Sequence, residues 1–170
     1  MSKIAAGLER AFAKGGFAEP SVEALRDAAG VSLRTLYKYA PSRADMVLVA
    51  LENRHQRYLS YVFVGLPKNT EDATNAILVR VGTWMTEEAS HGCLFHAAVA
   101  ADPNSDPLRR FLERHKAEVA SKAATATGLV AAETELLMII EGLTQVWPLK
   151  GDAAVDAAKR LSHALRVSLR

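Results

Sequence analysis

Residues 21 to 43 read as two short helices pinched together at Gly30, with polar and basic side chains on the second. Ser21 and Ser32 each stand where a side-chain oxygen can cap the free N–H groups of a helix start. Gly30 between them supplies the left-handed backbone that ends a helix cheaply. Two short helices joined by about three residues, with a glycine in the turn, form a helix-turn-helix. Val22, Leu25 and Ala29 fall at helical spacing on the first helix, and Val31 and Leu36 give the turn and second helix an inward side. Ser32, Arg34, Thr35, Tyr37 and Lys38 then face outward, in an arrangement that suits the major groove of DNA.

Charge agrees with that placement without demanding it. The 170-residue chain has a formal net charge of only +2. Residues 1–65, however, carry 9 Lys and Arg against 6 Asp and Glu, while residues 66–170 carry 12 against 13. The positive excess sits with the helix-turn-helix, so binding would lean on a few placed contacts more than on a broad basic field. A single cysteine excludes an internal disulfide framework, and neither a signal-peptide core nor an apolar run of about 18 residues is present. These features read as a soluble, cytoplasmic chain.

The remaining punctuation predicts an all-α fold. Ile4, Leu8, Ala11 and Phe12 make a helical stripe over about residues 2 to 14, ended by Gly15 and Gly16. Ser42 with Asp45 three residues on resembles a capping box and opens a long helix to about Val64, before Gly65-Leu66-Pro67. Thr70, followed by two acidic residues, opens a helix to about Glu88. Another follows Gly92, and Asp106-Pro107 begins one of about 20 residues. An eighth covers about Ala131 to Val146 before Pro148, and a ninth starts at Gly151-Asp152. The predicted architecture is a three-helix DNA-binding domain (residues 1–45) and a six-helix domain (residues 46–170), with helix 42–64 bridging them.

With Ile4 to Phe17 as first helix, Ala-Ala-Gly-Val-Ser at 28–32 as turn, Thr-Leu-Tyr at 35–37 and Ser42-Arg43 at the fourth helix, the chain resembles TetR-family transcriptional regulators. The resemblance covers roughly the first third of the sequence, with Gly-Cys-Leu-Phe at 92–95 a weaker downstream echo. It implies phosphate contacts from Ser21, Ser32, Thr35, Tyr39 and Arg43, and contacts to bases or adjacent backbone from Leu33, Arg34, Tyr37 and Lys38. Phosphate contacts set register and base-edge contacts set specificity. Arg34 is the expected base reader, because a guanidinium can pair with guanine in a bidentate way.

The sequence departs from the family pattern at Arg26, where alanine is usual and a long side chain must snorkel outward. Tyr39 replaces a common histidine, Ala40 an aromatic core plug, and Arg43 a lysine. Lys3 is the only basic residue at this end that could act as a minor-groove arm.

The resemblance further implies a homodimer through the last two helices, a palindromic double-stranded DNA operator and a small-molecule effector, with repression the usual direction. Leu136, Ile140, Leu143, Trp147, Leu161 and Leu165 are the expected dimerisation residues. For an effector pocket the chain offers Trp84, Phe95, Phe111 and Met138 as walls, and Glu88, His96, His115, Glu141 and Gln145 as polar groups that could orient a ligand. His91, Cys93 and His96 lie within six residues, which opens a metal-responsive or thiol-responsive alternative; a buried structural cysteine is the simpler reading. An architectural DNA-binding protein without effector is a third possibility. No cofactor motif, nucleophile elbow, phosphate loop or paired His-Glu metal motif is present, which argues against an enzyme.

Overall fold

The computed structural model describes residues 3–89 and 92–169. Among them the chain forms nine α-helices and one 3-10 turn, with no strand. In order these are α1 (Lys3–Gly15), α2 (Val22–Ala29), α3 (Leu33–Tyr39), α4 (Arg43–Phe63), α5 (Thr70–Glu88), α6 (Leu94–Ala101), α7 (Asp106–Thr127), α8 (Glu133–Lys150) and α9 (Asp152–Ser168); the turn, Val130–Ala132, precedes α8.

Local chemistry accounts for most boundaries. Ser21 accepts from the Ala24 N–H at 3.2 Å, and Ser32 from the Thr35 N–H at 3.1 Å. Gly30, at φ 67°, donates its N–H to the Arg26 and Asp27 carbonyls and closes α2. Ser42 and Asp45 make the reciprocal capping box: each backbone N–H donates to the other's side chain, at 3.0 and 3.1 Å. The start of α5 is capped one residue earlier than expected, by Asn69, whose side-chain oxygen accepts from Glu71 and Asp72. At the far end α8 does not stop before Pro148. The proline lies inside the last turn, where it removes the N–H that would bond the Thr144 carbonyl, and the helix ends at Gly151, whose φ is 51°.

The chain packs as two compact units. One holds the residues up to Arg57 together with Leu94–Leu112, and the other holds Tyr58–Cys93 together with the residues from Glu113 onward. Most of α4, all of α6 and the start of α7 therefore share a unit with the helix-turn-helix, a grouping that chain order does not reveal.

In the first unit Leu8, Phe12, Leu25, Leu36, Ala40 and Met46 are fully buried. Ala40 thus occupies a core position with a minimal side chain, where the sequence suggested a lost aromatic plug. Helices α1 and α2 touch backbone to backbone at Gly7: a Cβ there would stand 2.2 Å from the Ala28 carbonyl oxygen and 2.6 Å from the Ala29 Cα. Glu9, buried on α1, is the second fastening. Its carboxylate accepts from Asn53, from Arg54 at 3.1 Å and from Arg57 at 2.6 Å, all on α4.

The second unit has its core along α5, α8 and α9, with Ile77, Val81, Ile140, Leu143, Ala154 and Ala158 among the buried residues. Arg80 of α5 gathers the carbonyls at the end of α4, donating to Val62, Val64 and Gly65 at 3.1, 2.7 and 3.2 Å. A cation there satisfies orphan carbonyls and complements the negative end of the helix dipole. Arg166 of α9 similarly donates to the Thr70 and Thr127 carbonyls at 3.2 and 2.9 Å.

Candidate nucleic-acid interface and interior polar cluster

The outward face of α3 is built by one buried anchor. Leu36 is fully buried, which rotates Arg34, Thr35, Tyr37, Lys38 and Tyr39 to exposed positions and leaves Leu33 half-buried. Tyr37 and Tyr39 are 45% and 44% exposed, a high degree for aromatic side chains. Each capping hydroxyl uses a lone pair to accept a backbone N–H, which at Ser21 leaves the proton for an outside acceptor such as a phosphate oxygen. The Ser32 and Thr35 hydroxyls also lie 2.9 Å apart, so one donates to the other and the remaining proton points elsewhere.

Two residues expected at this surface lie beside the helix-turn-helix backbone. Arg43 does not reach outward; its terminal nitrogens donate to the Pro20 and Phe17 carbonyls, each at 2.7 Å. The exposed Lys3 ammonium stands beside Gly30, 3.9 Å from where a Cβ would be. Arg26 behaves as its length requires: it turns outward, a third exposed, and pairs with Asp27 at 2.6 Å.

The residues proposed as ligand walls divide between the two units. Phe95 and Phe111 stack in the first, with centroids 5.9 Å apart, and His55 meets Phe111 edge-on. Trp84, His115 and Glu141 come together in the second, around Tyr58, Cys93 and Lys116. The Tyr58 ring lies edge-on to Trp84 at 5.4 Å and to His115 at 5.5 Å. Lys116 pairs with Glu141 at 2.7 Å, and its ammonium is 3.7 Å from the Cys93 sulfur. The other Glu141 oxygen is buried with no hydrogen-bond partner among the described residues. Burial, with Glu141 and Cys93 adding to it, pushes the Tyr58 hydroxyl well above the ordinary tyrosine range, so it is neutral and available as a donor. Tyr58 and Lys116 carry no motif; only the crossing of α4, α5, α7 and α8 within this unit exposes them as members of the cluster.

Met138, His96 and Gln145 are not interior walls: all three are exposed, Met138 at 69%. Glu88 is half-buried near the end of α5. His91 lies outside the described residues, and among the described ones no group of three or more His, Cys, Asp or Glu is placed to hold a metal ion. No helix among them is long and apolar enough to cross a membrane.

The expected dimerisation set also divides. Leu136, Ile140 and Leu143 are buried in the chain's own core, and Trp147 turns inward so that its ring sits against Gly82 of α5. The reason is helical phase: Leu136, Ile140 and Leu143 recur every three to four residues on the inner side of α8. The outer side instead carries Glu135, Met138, Ile139, Gly142 and Val146. With Ala157, Leu161 and Leu165 of α9 it lines an open apolar groove of about 440 Å³.

Residues 4–50 match the model of the family described as bacterial regulatory proteins, tetR family. No curated protein matches by sequence. Among solved structures, a TetR-family transcriptional regulator from Streptomyces coelicolor superposes with a TM-score of 0.81 at 19% identity, over 96% of this chain and 87% of that one. A TetR transcription regulator from Haloarcula marismortui does so at 0.76 and 15%, over 95% and 93%. A putative TetR-family regulator from Rhodococcus sp. gives 0.73 at 23%, over 98% and 96%. At such identities the structures share a fold, while the match over residues 4–50 carries the helix-turn-helix itself. Residues 4–50 thus carry a segment similar to the helix-turn-helix of the tetR family of bacterial regulatory proteins, and the chain shares its fold, along nearly its whole length, with solved TetR-family regulators.

Proposed function

We propose that the protein is an effector-responsive transcriptional repressor that binds a palindromic operator as a homodimer in the cytoplasm. Residues 1–45 would form its DNA-binding domain, residues 46–170 its effector and dimerisation domain, and α4 the link. The observation that carries the reading is the face of α3. A helix anchored by buried Leu36 holds Arg34, Tyr37 and Lys38 in solvent, with Ser32 and Thr35 beside them as hydroxyl donors. Arg34 reads a base, and Ser21, Ser32, Thr35 and Tyr39 hold phosphates. Selection of duplexes from a random-sequence pool should enrich a two-fold-symmetric sequence with half-sites about one turn apart. Arg34→Ala should then lose about tenfold or more of the preference for the enriched over a scrambled duplex, as expected for one bidentate base contact.

The α8–α9 groove supports the dimer. Met138 and Leu161 are 69% and 58% exposed within a surface that, apart from Glu135, is otherwise Ile, Val, Leu, Ala and Gly. Contiguous apolar surface of this kind is normally covered, and small residues permit close approach of a second copy. Met138→Glu, a change in solvent that leaves the chain's own core untouched, should convert a sedimenting dimer to monomer and weaken operator binding with it. A variant that stayed dimeric would remove this groove from the interface.

For the effector, the cluster of Tyr58, Trp84, His115, Lys116 and Glu141 supports a ligand that offers a hydrogen-bond donor to the open Glu141 oxygen. Such a ligand acts only through its differential affinity for two arrangements of the protein. The Lys116 contact to Cys93 supports the thiol-responsive alternative, which requires that Cys93→Ser abolish the response.

A further inference from the structure

We infer that Arg43 serves DNA binding as a positioning residue, locking the entry to α2 against the first turn of α4, and does not hold a phosphate; this rests on the DNA-binding reading above. The Arg43 guanidinium is already engaged. One terminal nitrogen donates to the Pro20 carbonyl at 2.7 Å; the other donates to the Phe17 carbonyl at 2.7 Å and reaches that of Ala18 at 3.4 Å. Its central carbon stands 5.8 Å from the centroid of the Phe12 ring, which is itself stacked on Phe17 at 5.2 Å. The side chain is half-buried in this nest, with α4's own capping box, Ser42 and Asp45, holding the backbone beneath it.

The three carbonyls belong to the connection between α1 and α2, which ends directly at Ser21, the cap of α2. The connection contains Gly16 at φ 69°, Phe17 packed on Phe12, and a proline that fixes its own φ but donates no hydrogen bond. Arg43 supplies what the loop lacks: a planar donor that binds two carbonyls in a fixed direction, with a third within reach. A phosphate in its place would have to displace two short charge-assisted bonds. Held this way, the loop sets where the Ser21 hydroxyl and the first turn of α2 stand relative to α4. Arg43 therefore acts on DNA through Ser21.

Lysine discriminates the two roles. An ammonium replaces a guanidinium at a phosphate, but as a single point on a different stem it cannot span the Pro20 and Phe17 carbonyls. The test titrates the enriched duplex and a scrambled duplex at several salt concentrations. The proteins are the parent, Arg43→Lys, Arg43→Met, Ser21→Ala and the two double variants, each first checked for helical content. Arg43→Met should weaken both duplexes about tenfold, the effect of losing one charge-assisted hydrogen-bond set. The slope of log affinity against log salt should be unchanged, and Arg43→Lys should do no better. Ser21→Ala should cost less in either Arg43 variant than in the parent.

The inference is overturned if Lys restores parental affinity, if either variant lowers the slope by about 0.9, the share of one phosphate, or if the Ser21 and Arg43 effects simply add. A loss confined to stability, with parental affinity in the folded protein, overturns it too. Should Arg43→Met not fold, Arg43→Lys carries the same comparison. A parent that binds neither duplex overturns the DNA-binding reading itself, which separates that failure from the others.

Discussion

Glu9→Gln is expected to destabilise the protein by about 3 kcal/mol. Glu9 is only 2% exposed, and its carboxylate is shared by Arg54, itself 3% exposed, and Arg57. An amide keeps the shape but removes the negative charge that offsets the desolvation of a buried guanidinium. Removing one partner of a buried ion pair costs several kcal/mol, whereas apolar replacements of a whole pair are often neutral. The double variant Glu9→Leu/Arg54→Met should accordingly recover much of the loss. For a chain of this size the single variant should lower Tm on the order of 10 °C. Parental Tm in Glu9→Gln would show that the three polar groups contribute nothing net. A double variant as unstable as the single would show that packing, not charge, is at stake.

Gly7→Ala is expected to destabilise by about 1–3 kcal/mol although alanine is the better helix former. The added methyl would lie 2.2 and 2.6 Å from backbone atoms of Ala28 and Ala29, and backbone cannot swing aside as a side-chain tip can. Relief requires α1 to move away from α2. Because α2 is half of the helix-turn-helix, the same displacement should weaken DNA binding in the folded protein. Thermal unfolding and a duplex titration on one preparation check both effects. Gain of stability from Gly7→Ala, the outcome helix propensity alone would give, would contradict the close approach of the two helices.

How far the sequence reveals the molecule depends on the range of the interactions. Ser21, Ser32, Gly30 and the Ser42–Asp45 box act within four residues of themselves, and those boundaries were legible. The face of α3 was legible as well, because Leu36 is the one strongly apolar residue in its middle. The two faces of α8 were not. Leu136, Leu137, Met138, Ile139 and Ile140 are apolar in succession, so no stripe marks which side meets the core and which is left outside. Arg43 and Glu9 were missed for another reason. Their partners lie 23 to 48 residues away, and no local pattern tells a guanidinium that will meet carbonyls from one that will meet phosphate. The interior cluster at Tyr58, Lys116 and Glu141 has the same origin.

The claim that α3 reads DNA sequence is tested most directly by one ratio: affinity for the enriched duplex over affinity for a scrambled duplex, at one fixed salt concentration, in the parent and in Arg34→Ala. A base-reading Arg34 gives a large parental ratio that falls about tenfold or more in the variant while scrambled-duplex affinity changes far less. An unchanged ratio, or no preference in the parent at all, would contradict it.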